Sequence, residues 1–189
     1  MVLSDYLSRE QLIQFTKKNN TYGLFLVVWI WTQIACGFFA AFYWQNWICY
    51  LLVVLFFAGR QLGLAILVHE ATHNLLNTNR RVNDFLGKWL VGYPLMINLD
   101  DYRRVHLQHH KHAGTMKDPD LPNYRSYPVS KSSFRRKIFR DFFGLTGIKL
   151  FVSLTRVPQH SSREQYLKFV VSGLFVQLIV FCIDRVLKW

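Results

Sequence analysis

Apolar positions fall into three long runs along the chain instead of alternating with polar ones. The run 23–43 contains no charged residue, and the run 47–68 contains a single one, Arg60. The run 167–187 is mostly apolar and has about the same length. Because about 20 helical residues cross the hydrocarbon core of a bilayer, the pattern predicts an all-α integral membrane protein with three transmembrane helices at about these positions.

The segments before and between the first runs predict shorter elements. Residues 1–22 are polar and lack the features of a signal peptide. They contain a capping sequence at 4–8, which predicts a short amphipathic helix to about Lys18. Residues 85–97 are apolar but number only 13, which favours a buried or interfacial segment over a crossing. The chain therefore divides into a cytoplasmic N-terminal segment, 1–22, and a membrane domain, 23–189.

The polar stretch before the third run predicts three further elements. Asp100 and Asp101 are acids at a helix start, where the helix dipole favours them. The two prolines within 118–122 break any helix and open a loop that runs to Pro128. Residues 135–154 combine basic and apolar side chains, which predicts one helix lying among the lipid headgroups.

Basic residues are placed around the predicted spans. Sixteen of the 23 Lys and Arg side chains lie between His69 and Tyr166, and three more precede the first span, whereas the connection 44–46 is uncharged. The positive-inside rule therefore predicts that the N-terminus and 69–166 lie in the cytoplasm. The net charge of +12 also suggests nucleic-acid binding as an alternative, but eight acidic residues are mixed with the Lys and Arg residues of this segment. Attraction to anionic lipid explains the charge better, and nucleic acid is excluded as a partner.

Five of the seven histidines form two short clusters. His69 and His73 form an HxxxH motif, box 1, and His106, His109 and His110 form an HxxHH motif, box 2, which follows after 32 residues. On a helix, positions i, i+3 and i+4 share one face, so each box aims its imidazoles in one direction. Imidazole binds iron, zinc, copper and nickel. These five residues are therefore the candidate metal ligands.

Three observations narrow the choice of metal. The three cysteines match neither a disulfide framework nor a CxxC site, so the ligand set has no thiolate and is not an iron–sulfur centre. Five imidazoles exceed the three or four protein ligands of a zinc site. Box 1 follows an apolar span, where a hydrocarbon chain could enter. Histidine-ligated non-haem iron that activates oxygen fits all three observations.

The boxes and the residues around them resemble the membrane fatty acid desaturase family. The resemblance rests on His69-Glu-Ala-Thr-His73-Asn, on Asp101-Tyr-Arg-Arg-Val-His106-Leu-Gln-His109-His110 and on Asp118-Pro-Asp120, and it covers nearly the whole chain. It implies two irons held by histidines of three boxes, with oxygen as the oxidant. It implies a lipid acyl chain as the substrate, from which two hydrogens are removed to leave a double bond.

The resemblance also implies partners and a location. Electrons would come from a donor of the ferredoxin or cytochrome b5 type. The membrane would be the bacterial inner membrane or the endoplasmic reticulum, with the histidine site on the cytoplasmic side. The chemistry belongs to the metal, because no side-chain acid or base removes hydrogen from an unactivated C–H bond, and the protein supplies ligands and position.

One part of the family pattern is missing from this sequence. A third box, another HxxHH, is expected after a further pair of spans, but His160 is the only histidine beyond His112. The expectation is therefore a truncated desaturase that is inactive alone or depends on a missing segment. Iron-dependent desaturation by the 189-residue chain would contradict that expectation.

Other functions remain open. Box 1 also reads as HExxH, the signature of zinc proteases in which Glu70 would be the general base. An acidic third zinc ligand would then come from Asp100, Asp101 or Asp118, and box 2 would have no role. In a desaturase, Glu70 instead orients a ligand imidazole through its other ring nitrogen. Hydroxylation or ketolation of lipids or carotenoids would use the same boxes, and an inactive membrane remnant is a further class.

Several other polar residues admit two interpretations. Arg60, inside the second run, is either a functional charge or a side chain that snorkels to the headgroups. Asp118 and Asp120 match the family motif, yet a turn around a proline needs such residues anyway. His112 and His160 are interpreted as residues outside the ligand set.

Overall fold

All the regular secondary structure in the described part of the chain is helical. The computed structural model describes residues 6–153, 157 and 161–186, and contains no strand within them. Ser4 and Asp5 of the predicted cap, and His160, lie outside the described residues. The helices are α1 (Arg9–Thr16), α2 (Asn20–Tyr43), α3 (Trp47–Thr72), α4 (Arg80–Phe85), a π-helix (Leu86–Gly92), a 3-10 turn (Tyr93–Leu95), α5 (Leu99–His112), α6 (Leu121–Tyr124), α7 (Lys131–Phe142), α8 (Leu145–Ser153) and α9 (Arg163–Val186). The all-α prediction is confirmed.

Three of these helices, α2, α3 and α9, are long and apolar enough to cross a membrane, judged by length and composition. They coincide with the three apolar runs. Asparagine side chains cap the first two, because Asn19 accepts from the Tyr22 N–H at 3.1 Å and Asn46 accepts from the Cys49 N–H at 3.0 Å. The protein is therefore an integral membrane protein, as the sequence predicts.

The chain forms two compact units, which are described separately. The first unit comprises residues 1–99 and 172–189, and the second comprises residues 100–171. In the first unit, α2 and α3 pack against each other through small and branched side chains. Val27 and Ile30 of α2 are buried, as are Leu64 and Val68 of α3.

The apolar segment 85–97, which is too short to cross the membrane, packs against α3. It is made of the π-helix and the 3-10 turn, with Leu86 and Val91 buried. The Trp31 indole N–H donates to the Leu90 carbonyl oxygen at 2.7 Å, which ties α2 to the π-helix. The prediction of a short buried segment is confirmed.

Gly23 marks the closest approach of α2 to the chain that follows α3. A Cβ atom at this position would lie 2.2 Å from the Leu76 carbonyl oxygen, which is backbone and cannot turn away. We expect Gly23→Ala to lower the free energy of unfolding by about 1–3 kcal/mol, as overpacking does. The matched control is Gly59→Ala on α3, where nothing lies within 4 Å of the added methyl. Equal unfolding midpoints in detergent for the two variants would contradict this packing.

Two sequence predictions about the second unit are wrong in detail. Part of the loop predicted to begin at 118–122 is helical, because α6 begins at Leu121. A proline lies in the first turn of α6, where its missing N–H is tolerated. The basic segment 135–154 is two helices rather than one, because α7 ends at Phe142 and Gly144 adopts a left-handed φ of +71° before α8 begins. The predicted helix start at Asp100 and Asp101 is confirmed, since α5 begins at Leu99.

Candidate metal centre

Box 1 lies at the end of α3 in the first unit. His69 is in the last turn of the helix, and His73 is its C-terminal cap residue. The two imidazole rings are neighbours, with centroids 4.8 Å apart and planes at 60°. The i, i+4 spacing therefore places both rings on one side of the helix end, as the sequence predicts.

Glu70 contacts one of these imidazoles. His69 Nδ1 lies 3.1 Å from Glu70 Oε1, and both side chains are partly exposed. A carboxylate oxygen only accepts, so this contact places the imidazole proton on Nδ1 and the lone pair of a neutral ring on Nε2. Such a contact is what an orienting role for Glu70 requires; the role itself stays a prediction.

Asn83, which the sequence analysis did not single out, holds the turn after box 1. Its side chain is fully buried, donates to the Ala71 carbonyl oxygen at 2.9 Å and accepts from the Leu76 N–H at 3.3 Å. It thereby fixes the backbone on both sides of His73. No local signal identifies it, because Asn83 is one of several polar residues within α4, whose N-terminal cap is another asparagine, Asn79.

We expect Asn83→Ala to lower the free energy of unfolding by about 1–3 kcal/mol, because it removes the side-chain acceptor of the Leu76 N–H and one donor to the Ala71 carbonyl oxygen. The matched control is Asn77→Ala, whose side chain accepts one local hydrogen bond, from the Asn79 N–H at 2.8 Å. Equilibrium unfolding in mixed detergent micelles measures the free energy of unfolding of both variants. A loss for Asn77→Ala as large as that for Asn83→Ala would contradict the buttressing role of Asn83.

Box 2 lies on α5 in the second unit. His106 Nε2 and His110 Nε2 are 2.9 Å apart, with ring planes at 88°. Tyr102 stacks on the His106 ring at a centroid distance of 5.4 Å. Burial, followed by the negative charge of Asp120, raises the pKa of Tyr102, so its phenol is neutral at physiological pH. The i, i+4 pair therefore presents two imidazole nitrogens at one point.

His109, the third member of box 2, is held by a carboxylate. Its Nδ1 lies 2.8 Å from Asp118 Oδ1, and the Asp118 side chain is completely buried. The other Asp118 oxygen accepts from the Tyr124 hydroxyl and, at 3.2 Å, from the Gly114 N–H. The Asp120 N–H donates to Asp118 as well, at 2.8 Å. Asp118 thus connects the end of α5 to the loop and to α6.

The electrostatics of this contact follow from these partners. Burial alone would raise the pKa of Asp118, but hydrogen bonds from Tyr124, His109 and two backbone N–H groups outweigh it and hold the pKa well below its ordinary value. The hydrogen bond to Asp118 raises the pKa of His109. Asp118 is therefore ionised whenever His109 is neutral, and its charge favours a proton on Nδ1. Nε2 then carries the lone pair.

The donor set fits a metal ion of the kind that imidazole binds. Two nitrogens about 2.1 Å from one metal, at a 90° bond angle, stand about 3.0 Å apart. His106 and His110 match that separation. Protonation at Nδ1 of His69 and His109 matches the usual arrangement in which a ligand imidazole donates its other N–H to a carboxylate.

The acids weighed as a third zinc ligand are otherwise engaged. Asp101 contacts Arg104 and accepts from the Ser161 hydroxyl at 2.7 Å and 2.8 Å on its two oxygens. Asp118 is occupied by His109 and Tyr124. The sequence permits a turn residue, a motif residue or a zinc ligand at Asp118, and the contact of Asp118 with His109 is visible only in the folded loop. Tyr124 carries no signal of its own in the sequence.

Comparison with known proteins gives two matches. The sequence profile of the family described as Fatty acid desaturase matches residues 45–183, which are 139 of the 189 residues. Zeaxanthin 4-ketolase of Chlamydomonas reinhardtii is 38% identical over 61 residues, which are 31% of this chain and only 14% of the length of that relative. No solved structure matches the chain. Because the profile covers well over half of the chain and both histidine boxes, the chain belongs to the fatty acid desaturase family, a class of histidine-ligated di-iron enzymes.

Proposed function

We propose that this protein contributes to the oxygen-dependent desaturation of lipid acyl chains at a histidine-ligated di-iron centre. The proposed iron ligands are His69, His73, His106, His109 and His110. The observation that carries the proposal is the pair of box 2 nitrogens, 2.9 Å apart, beside a third imidazole held by a buried carboxylate. Membership of the desaturase family supplies the metal and the reaction class.

The chain's own residues have separate roles in this proposal. When bound, the irons supply the oxygen chemistry that removes two hydrogens from an unactivated acyl chain. The five imidazoles bind, while Glu70 and Asp118 keep the proton on Nδ1 of His69 and His109 and so direct Nε2 to the metal. Box 1 ends the apolar helix α3, which supports the proposal that the site lies next to lipid. We further propose that the site faces the cytoplasm, where a ferredoxin or cytochrome b5-type donor would deliver electrons.

The experiment is metal analysis followed by product analysis. The chain is purified in detergent from iron-supplied cells, and iron and zinc are counted per chain. Iron is expected in the unmodified chain and not in a His106→Ala control. A gain of double bonds in lipid from cells that express the chain would show that it is active without a third box. A single zinc and no iron would overturn the proposal in favour of an HExxH protease.

A second candidate is oxygenation of a lipid or carotenoid, which the matched zeaxanthin 4-ketolase favours. Desaturation and ketolation differ in the fate of oxygen, because only ketolation leaves an oxygen atom in the product. Cells grown under ¹⁸O₂ therefore separate the two. Labelled ketone or hydroxyl groups in the lipid fraction would support oxygenation, and unlabelled lipid with a new double bond would support desaturation.

A further inference from the structure

Arg60 is a charge deep inside the membrane-spanning part of the first unit. It lies on α3 about 18 Å along the helix axis from the nearer end, at 1.5 Å per residue. No acidic residue occurs in α2, and the only one in α3 is Glu70, beside box 1. A charged side chain at this depth is costly, and in such proteins it marks a functional site by default.

The guanidinium does not snorkel toward the end of α3 that carries box 1. Its Cζ lies 5.0 Å from the centroid of the Phe56 ring, one turn toward the start of the helix. One Nη donates to the Gln33 side-chain oxygen on α2. The side chain is therefore held within the apolar layer, which decides against the snorkelling interpretation.

One donor of this guanidinium has no acceptor. The Arg60 Nε–H is buried and makes no hydrogen bond within the described part of the chain. A buried donor without an acceptor destabilises the folded protein, and the destabilisation is larger for a charged donor than for a neutral one. Guanidinium groups bind oxygen acceptors in a fixed fork geometry, so the missing partner fits an oxygen atom.

Arg60 lines a small cavity of about 160 Å³, whose wall also includes Gln61, Gln177 and Trp31. A larger cavity of about 820 Å³ shares the wall residues Trp31 and Val180 and is otherwise apolar, with Val27, Trp89 and Phe175 among its lining residues. The larger volume lies within the usual range of small-molecule pockets. Together the cavities offer space for an apolar body with one polar end.

We propose that the two cavities and Arg60 form an intramembrane binding site for an oxygenated lipid. The apolar body of the lipid lies in the larger cavity, and a carboxylate, hydroxyl or carbonyl oxygen at its end accepts from the guanidinium of Arg60, which lines the smaller one. The site lies within the first unit alone and does not involve the boxes. The inference is therefore independent of the proposed chemistry and can be tested without metal.

The test uses the 189-residue chain in phosphatidylcholine nanodiscs with three fluorescent polyene probes. The probes are cis-parinaric acid, the corresponding alcohol, and a hydrocarbon with the same polyene. Energy transfer from tryptophan reports binding, because Trp31 lines both cavities. We expect at least one oxygenated probe to bind roughly ten-fold more tightly than the hydrocarbon, as one hydrogen bond to a charged group allows.

The probe series also identifies the oxygen group. Preference for the acid alone indicates charge pairing, and equal preference for acid and alcohol indicates hydrogen bonding to a neutral oxygen. Arg60→Met should remove the preference while Arg136→Met, the same change on α7, should keep it. Equal affinity for all three probes in the unmodified protein would overturn the proposal, whether or not Arg60→Met folds. Full preference retained by a folded Arg60→Met variant would overturn it as well.

Discussion

Replacing His106 with alanine is expected to abolish tight metal binding. The His106 and His110 Nε2 atoms stand 2.9 Å apart, and removing one leaves the other without the second donor that completes the pair. We expect the apparent affinity for iron to fall by more than about 100-fold, which exceeds the typical effect of losing a residue that only orients a ligand. Metal content after dialysis against a weak chelator measures the loss.

The matched control for His106→Ala is His112→Ala, at the end of the same helix. His112 is six residues from His106, which places it on another face of the helix. The control should keep its metal and its helix content. Iron retained by His106→Ala at the level of the unmodified protein would remove box 2 from the ligand set. An equal loss in both variants would indicate that α5 itself had been damaged.

Replacing Asp118 with asparagine is expected to weaken metal binding by roughly 10–100-fold, although Asp118 is not a proposed ligand. The carboxylate accepts from His109 Nδ1 at 2.8 Å and is completely buried. An amide in its place carries no charge to favour a proton on Nδ1, so Nε2 is no longer held as the binding nitrogen. Titration with iron under anaerobic conditions, followed by metal analysis, gives the affinities.

Two controls separate orientation of His109 from stability of the loop. Tyr124→Phe removes the hydroxyl that donates to Asp118 and leaves the contact with His109 in place. Asp141→Asn changes an exposed carboxylate on α7 that accepts from Thr146. Both should bind iron nearly as the unmodified chain does. If Tyr124→Phe weakens binding as much as Asp118→Asn, the effect arises from the loop, and the orienting role of Asp118 is wrong.

The local sequence pattern was sufficient to predict the membrane-spanning helices and the neighbouring imidazoles within the histidine boxes. Runs of about 20 apolar residues have one stable arrangement in a bilayer, because only a helix satisfies every backbone group there. The i, i+4 spacing then determines which imidazoles are neighbours before any packing is known. The rings of His69 and His73, and the nitrogens of His106 and His110, are neighbours for this reason.

The sequence was less informative where a loop folds back on a helix. The sequence predicts one surface helix for 135–154, but the left-handed conformation of Gly144 separates two helices, and apolar periodicity does not reveal a single left-handed residue. Asp118 is of a residue type common in turns, and it lies nine positions from His109, in the loop that follows the end of α5 at His112. Such contacts depend on how the loop closes, which no periodicity encodes.

The amino-acid sequence by itself determined that this protein is an all-α membrane protein with two histidine boxes, because helix length and helix period are local properties. Only the tertiary structure decided which polar groups support those boxes, and that the Nε–H of Arg60 has no acceptor within the described residues. Asn83 reaches the backbone of Ala71, twelve residues away, and Arg60 reaches Gln33 on another helix. A buried polar group is satisfied by whatever the fold brings within about 3 Å, and residues distant in sequence become partners only through packing.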